Sequence, residues 1–265
     1  MDALTGPIAR VEAQRSHREF VTGVAPARVM MSVVHARRLL KRGETASTYF
    51  PAETDVITTT TVADDHLHRL SWEDEWQIVR EFEPDAHVPA DYDVYGDDPE
   101  AKRASHAENC ATGTVWMDDR LRDDACGTTL LPLIKGETAD QRDFGYRACA
   151  AVEADTAAVY ATQYFTAGGG GGRAALVDTL ESIREETDDA LDVVVIGLLS
   201  PAYLEHVPSN VVAAAGQRTW RERVTPRSQD TDAMRKVYDD LADDVRRVLD
   251  AGEDRPGETT RTVEA

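Results

Sequence analysis

Short apolar or β-branched runs recur along the chain at 27–34 (ARVMMSVV), 55–62 (DVITTTTV), 85–92 (DAHVPADY), 128–136 (TTLLPLIKG), 156–165 (TAAVYATQYF), 192–199 (DVVVIGLL) and 210–217 (NVVAAAGQ). Runs of this length and composition predict strands buried on both faces. Between most of them the spacing turns helical, over 71–82, 99–122, 138–154, 173–190 and a short stretch at 200–209. Strand followed by helix, repeated, argues for a parallel sheet covered by helices, either a barrel or an open doubly wound sheet. A last helix is predicted over 231–249, with Met234, Val237, Leu241, Val245 and Leu249 on one face. One α/β domain over 23–250 follows, with a flexible segment at 1–22 and a disordered tail at 251–265, where apolar periodicity stops. Seven strands are visible where a closed barrel has eight, which leaves an incomplete or irregular barrel unless the N-terminal region hides one.

Composition changes this picture little, but it narrows the partners. The formal charge is −20 over 265 residues, with Lys41, Lys102, Lys135 and Lys236 the only lysines. Acidic pairs such as Asp64-Asp65, Asp118-Asp119 and Asp243-Asp244 recur on faces expected to be solvated. This resembles the acidic proteins of salt-loving microbes, where molar salt shrinks the Debye length to about 3 Å and suppresses self-repulsion. A general attraction to polyanions is not expected from such a charge. Cys110, Cys126 and Cys149 form no C-x-x-C pattern and no disulfide framework, and neither a leader nor a membrane span is visible, so a cytoplasmic, membrane-free protein is expected.

The candidate chemistry gathers where the predicted strands end. Five glycines, Gly168 to Gly172, follow the strand 156–165 and precede a helix, at the end of a parallel strand where barrels build their sites. Glycines there let backbone N–H groups approach a planar ring or an anion, and a helix N-terminus behind them suits a phosphate. Gln163 belongs to the same strand, and a polar group in a buried strand needs a partner. Lys135, a scarce residue type, lies at another strand end. The stretch Asp64-Asp65-His66-Leu67-His68 offers acids and imidazoles, and His-x-His on a strand would put both rings on one face. No metal or other cofactor is nonetheless expected. Serine-triad and P-loop patterns are absent.

Taken in order, "LLPLIKGETADQRDFGYRACAAVEADTAAVYATQYFTAGGG" and "DVVVIGLLSPAYLEHVPSNVVAAAG" resemble the central and C-terminal barrel segments of the tRNA-guanine transglycosylase superfamily, including its phage-type DNA relatives. The resemblance covers roughly residues 85–217. It implies a TIM-like (β/α) barrel that exchanges guanine for a 7-deazaguanine base in DNA or tRNA. It places Asp91, with Asp93 next, where the family reads the base. Lys135 stands where the family has a base-reading amide, before Gly136, and Gly168-Gly169 and Gly197 match its glycine elements.

Two departures accompany the matches. The strand that should deliver a nucleophilic aspartate ends in Ala215-Gly216-Gln217, and threonines replace an early Asp-Ser-Gly-Gly element, with Asp64 and Asp65 a few residues later. Asp64, Asp65, Asp91 and Asp93 are therefore the candidate catalytic carboxylates. Base exchange is the first expectation. A lapsed relative that binds base or nucleic acid as a homodimer or beside a catalytic subunit is the second, and an unrelated phosphate-binding barrel enzyme the third. Arg218, Arg221 and Arg223, with Trp220 among them, form the candidate edge for tracking nucleic-acid phosphates.

Overall fold

The computed structural model describes residues 4–94, 98–165, 172–226 and 229–253. Among the described residues eight strands are present: β1 (Gly6–Val11), β2 (Arg28–Ser32), β3 (Asp55–Thr59), β4 (Ala86–Val88), β5 (Thr129–Leu130), β6 (Thr156–Tyr160), β7 (Asp192–Ile196) and β8 (Val211–Gly216). All pairings are parallel, in the order β5-β4-β3-β2-β1-β8-β7-β6. Apart from β5 and β6, each strand lies beside its neighbour in sequence, and β1 lies beside β8, so the sheet curls as an irregular TIM-like (β/α) barrel. The irregularity is at the β5/β6 seam. There a single parallel bridge joins Leu133 to Ala158, with Ala158 N–H donating to Pro132 O (2.8 Å) and Ile134 N–H to Ala158 O (2.9 Å). Pro132 has no N–H to donate, which suits the seam and would not suit a central strand.

The helices are α1 (Arg15–Val24), α2 (Val33–Leu40), α3 (Ala46–Tyr49), α4 (Asp64–Leu67), α5 (Trp72–Phe82), α6 (Glu100–Asp123), α7 (Ala139–Ala151), α8 (Gly172–Glu186), α9 (Pro201–Leu204), α10 (Arg218–Arg223) and α11 (Thr231–Glu253), with a 3-10 turn at Ala161–Phe165. Alternate strand residues separate two cores. Ile8, Met30, Ile57, Val88, Leu133, Ala158, Val194, Ile196 and Ala215 fill the barrel, small beside large. Val11, Val29, Met31, Val56, Val159, Val193 and Val195 face the helix layer. None of the helices among the described residues is long and apolar enough to cross a membrane.

The N-terminal segment differs from its sequence expectation. Residues 6–24 form β1 and α1 rather than a loose arm, with Ile8, Ala9 and Phe20 fully buried. Arg10 interrupts the apolar run of β1, and its side chain lies at the barrel's open end, where it lines a cavity. Helix α11 packs on α1 and β1 as the closing element. It continues to Glu253, past the predicted end; 254–265 of the expected tail, and Gly168 and Gly169, lie outside the described residues.

Candidate functional site at the barrel mouth

Asp91 is placed by a relay of hydrogen bonds behind the barrel wall. The carboxylate of Glu75, on α5, accepts from His87 Nε2 (2.7 Å) and from Ala90 N–H (2.9 Å), while His87 Nδ1 lies 2.9 Å from the Thr58 hydroxyl. Ala90 adopts φ 51°, a left-handed conformation that costs a non-glycine residue about 1–2 kcal/mol. The Glu75 hydrogen bond offsets part of that cost and turns the chain so that Asp91 enters the barrel. Asp91 N–H then donates to Thr60 Oγ1 (3.0 Å), whose hydroxyl donates to Val88 O (3.1 Å).

Lys135 reaches Asp91 from the segment after β5. Its Nζ lies 2.6 Å from Asp91 Oδ1, and each side chain is only 4% exposed. Burial pushes the Asp91 carboxyl up, with Lys135 opposing. Burial works against charge on Lys135 as well, but the adjacent carboxylate outweighs it and holds the ammonium above its ordinary pKa. Gly136 has φ +119°, and a Cβ there would come within 2.3 Å of Gln141 Cβ. Its lack of a side chain thus serves the turn that delivers Lys135. Gly197, at φ +102°, is fixed in the same way by Thr162.

Beside this pair a cavity of about 300 Å³ opens at the carboxyl ends of β1, β2, β3, β6 and β8, lined by Arg10, Glu12, His35, Arg38, His66, Tyr160 and Gln217 among others. Arg10 donates to Thr61 O (2.9 Å) and Thr61 Oγ1 (3.3 Å), and burial lowers its pKa. Glu12 accepts from Gln217 Nε2 (2.9 Å), and its backbone N–H donates to His17 Nδ1 (2.8 Å). Burial alone would raise the Glu12 carboxyl, but Gln217, His35, His17 and Arg221 together bring it below the usual range. Burial depresses His35 and takes His17 down to about 4, so both rings are neutral at pH 7. Tyr160 joins the two regions, since it lines the cavity and its ring centre lies 5.9 Å from Lys135 Nζ.

The other expected site residues are more scattered. Asp93 sits after β4 among His68 (3.1 Å), Lys102 (3.4 Å) and His106 (3.7 Å). Asp64 and Asp65 lie in the first turn of α4, outside the cavity lining; His66 is in α4 and His68 is its C-cap, so the two are not on a strand, and they part, His66 to the cavity and His68 to Asp93. Gln163 is half-buried in the 3-10 turn after β6. Arg218, Arg221 and Arg223 lie exposed on α10, with Arg218 held by Glu222 (2.7 Å) and Arg223 near Asp244 (3.8 Å). Trp220 is no platform for a base. It is 1% exposed, stacks on Phe20 at 4.1 Å and donates Nε1–H to Arg10 O (3.0 Å).

Arg10, Glu12, His35, Arg38 and Tyr160 were not legible as site residues. The available signal was the Arg-Val-Glu spacing at 10–12, which puts both charged side chains on one side of a strand. Comparison with protein-family models gives no match, and comparison with curated proteins gives none either.

Proposed function

We propose that this barrel is a transglycosylase-like protein that recognises guanine or a 7-deazaguanine base of DNA or tRNA at its mouth. The observation that carries the reading is the contact between Asp91 and Lys135, the two positions that the family resemblance assigns to base reading. A carboxylate beside an ammonium offers an acceptor and a donor side by side. The guanine edge has the complementary set, ring and amino N–H groups that donate and O6 that accepts. Tyr160 lies between the pair and the cavity, where a base would enter.

Base exchange further needs a carboxylate to attack the ribosyl carbon and a group to move a proton. One specific observation favours binding without exchange: β8 ends in Ala215 and Gly216, with Gln217 next, so the strand expected to bear the nucleophile supplies none. Incorporation of labelled guanine and of labelled 7-deazaguanine into DNA and tRNA in concentrated KCl, beside direct binding of each base, separates the two. Incorporation lost in a folded Asp91→Asn variant establishes exchange. Base binding that depends on Asp91 without incorporation establishes the binding protein. A wild-type chain that does neither refutes the reading.

A further inference from the structure

The mouth cavity has a charge pattern unlike the rest of the molecule. The chain carries −20 overall, and most cations near its surface are matched to acids, as in Arg15 with Glu19, Arg122 with Asp118 and Arg246 with Asp243. At the mouth, Arg10 and Arg38 line one cavity together with His35 and His66, and neither arginine forms an ion pair among the described residues. Glu12, the one acid among those lining groups, is engaged by Gln217 and is half-buried. Arg10 is held in place by Thr61 and Tyr160, and its guanidinium has more N–H groups than these residues accept.

We propose that this cavity binds the phosphate group of a small phosphorylated ligand, a sugar phosphate or mononucleotide. Arg10 is the fixed donor at the cavity floor and Arg38 the exposed one at its rim. Glu12 and Asp91 act on the desolvated Arg10 guanidinium without forming an ion pair with it, and an oxyanion in the cavity would supply the direct contact and the acceptors. The cavity volume falls at the lower end for small-molecule sites, enough for one sugar phosphate or the sugar phosphate of a single nucleotide. The inference does not depend on base exchange, because it uses neither Asp91 nor Lys135.

Calorimetric titration of the full chain in concentrated KCl with inorganic phosphate, ribose 5-phosphate, GMP and phosphate-free guanosine tests it. The phosphate-bearing probes should bind, and Arg38→Gln, a change at an exposed residue, should weaken them about tenfold. Glu12→Gln should tighten the same probes severalfold, a direction that a damaged fold would not produce. Inorganic phosphate binding as well as the esters would make free phosphate the ligand, and tighter esters would make the sugar part of it. Failure of every phosphate-bearing probe, or affinities that ignore both substitutions, would overturn the proposal. Guanosine binding that responds to Asp91→Asn but not to Arg38→Gln would leave the base reading standing while the phosphate site fell.

Discussion

Two carboxylates at the same end of the barrel have opposite surroundings. Asp91, after β4, is sealed against Lys135 in the barrel interior, whereas Glu12, after β1, faces an open cavity among arginines and histidines. Burial pushes the first carboxyl up, and polar and cationic neighbours bring the second down. Residue type therefore says little about availability. On the sealed side a charge is tied to its partner, and its removal should register in stability as well as in base binding; on the open side it should register in ligand affinity with little change in stability.

The largest effect is expected from Lys135→Met, which leaves Asp91 buried without its counter-charge and should cost about 3–5 kcal/mol by denaturant unfolding. The double variant with Asp91→Asn should recover most of that loss. A Lys135→Met protein as stable as wild type would mean that the pair is not sealed, and the contrast would collapse.

Next in size is Glu75→Ala. It strips the acceptor from His87 and from Ala90 N–H, both buried, and should destabilise by about 2–4 kcal/mol. It should also weaken any ligand that depends on Asp91, because the left-handed turn at Ala90 loses its anchor. Retention of full Asp91-dependent binding would show that β4 alone fixes that carboxylate.

A smaller, pH-dependent effect comes from His17, whose imidazole accepts the Glu12 N–H. Its pKa falls from 6.5 to about 4 on folding, so the unfolded chain binds more protons between those values. Its contribution to stability is complete above pH 6.5 and is lost as pH falls toward 4, a loss on the order of 3 kcal/mol at the acid end and almost nothing at pH 7. His17→Asn, which retains an acceptor but does not titrate, should flatten that part of the stability curve. An unchanged slope would assign it to other groups.

The smallest change in stability should come from Glu12→Gln, below about 1 kcal/mol, because the half-buried carboxylate is hydrated and keeps an acceptor oxygen for Gln217. A loss as large as that for Lys135→Met would place Glu12 in the sealed class and erase the distinction.

Most of the barrel was legible in the chain. The runs at 27–34, 55–62, 156–165, 192–199 and 210–217 each contain an observed strand, because buried parallel strands are continuous apolar stretches bounded by turns. β1 was not legible, since Arg10 breaks its run and only inside the mouth of the curled sheet does that side chain find Thr61 as its partner. Of the candidate site, Asp91 and Lys135 were singled out by position at strand ends, but nothing local showed that they would meet. Trp220 looked like part of an exposed arginine edge, yet its ring packs on Phe20 of α1, a helix from the opposite end of the chain.

By itself the sequence determined the rhythm of strand and helix, the acidic surface and which residue types stand at the strand ends, all of which depend on near neighbours and composition. The tertiary structure decided which charges are partnered. Arg10 finds Thr61 across 51 positions, and Gln217 finds Glu12 across 205. Contacts at such separations exist only once the sheet has curled and brought β1 between β2 and β8, and local periodicity carries no information about them.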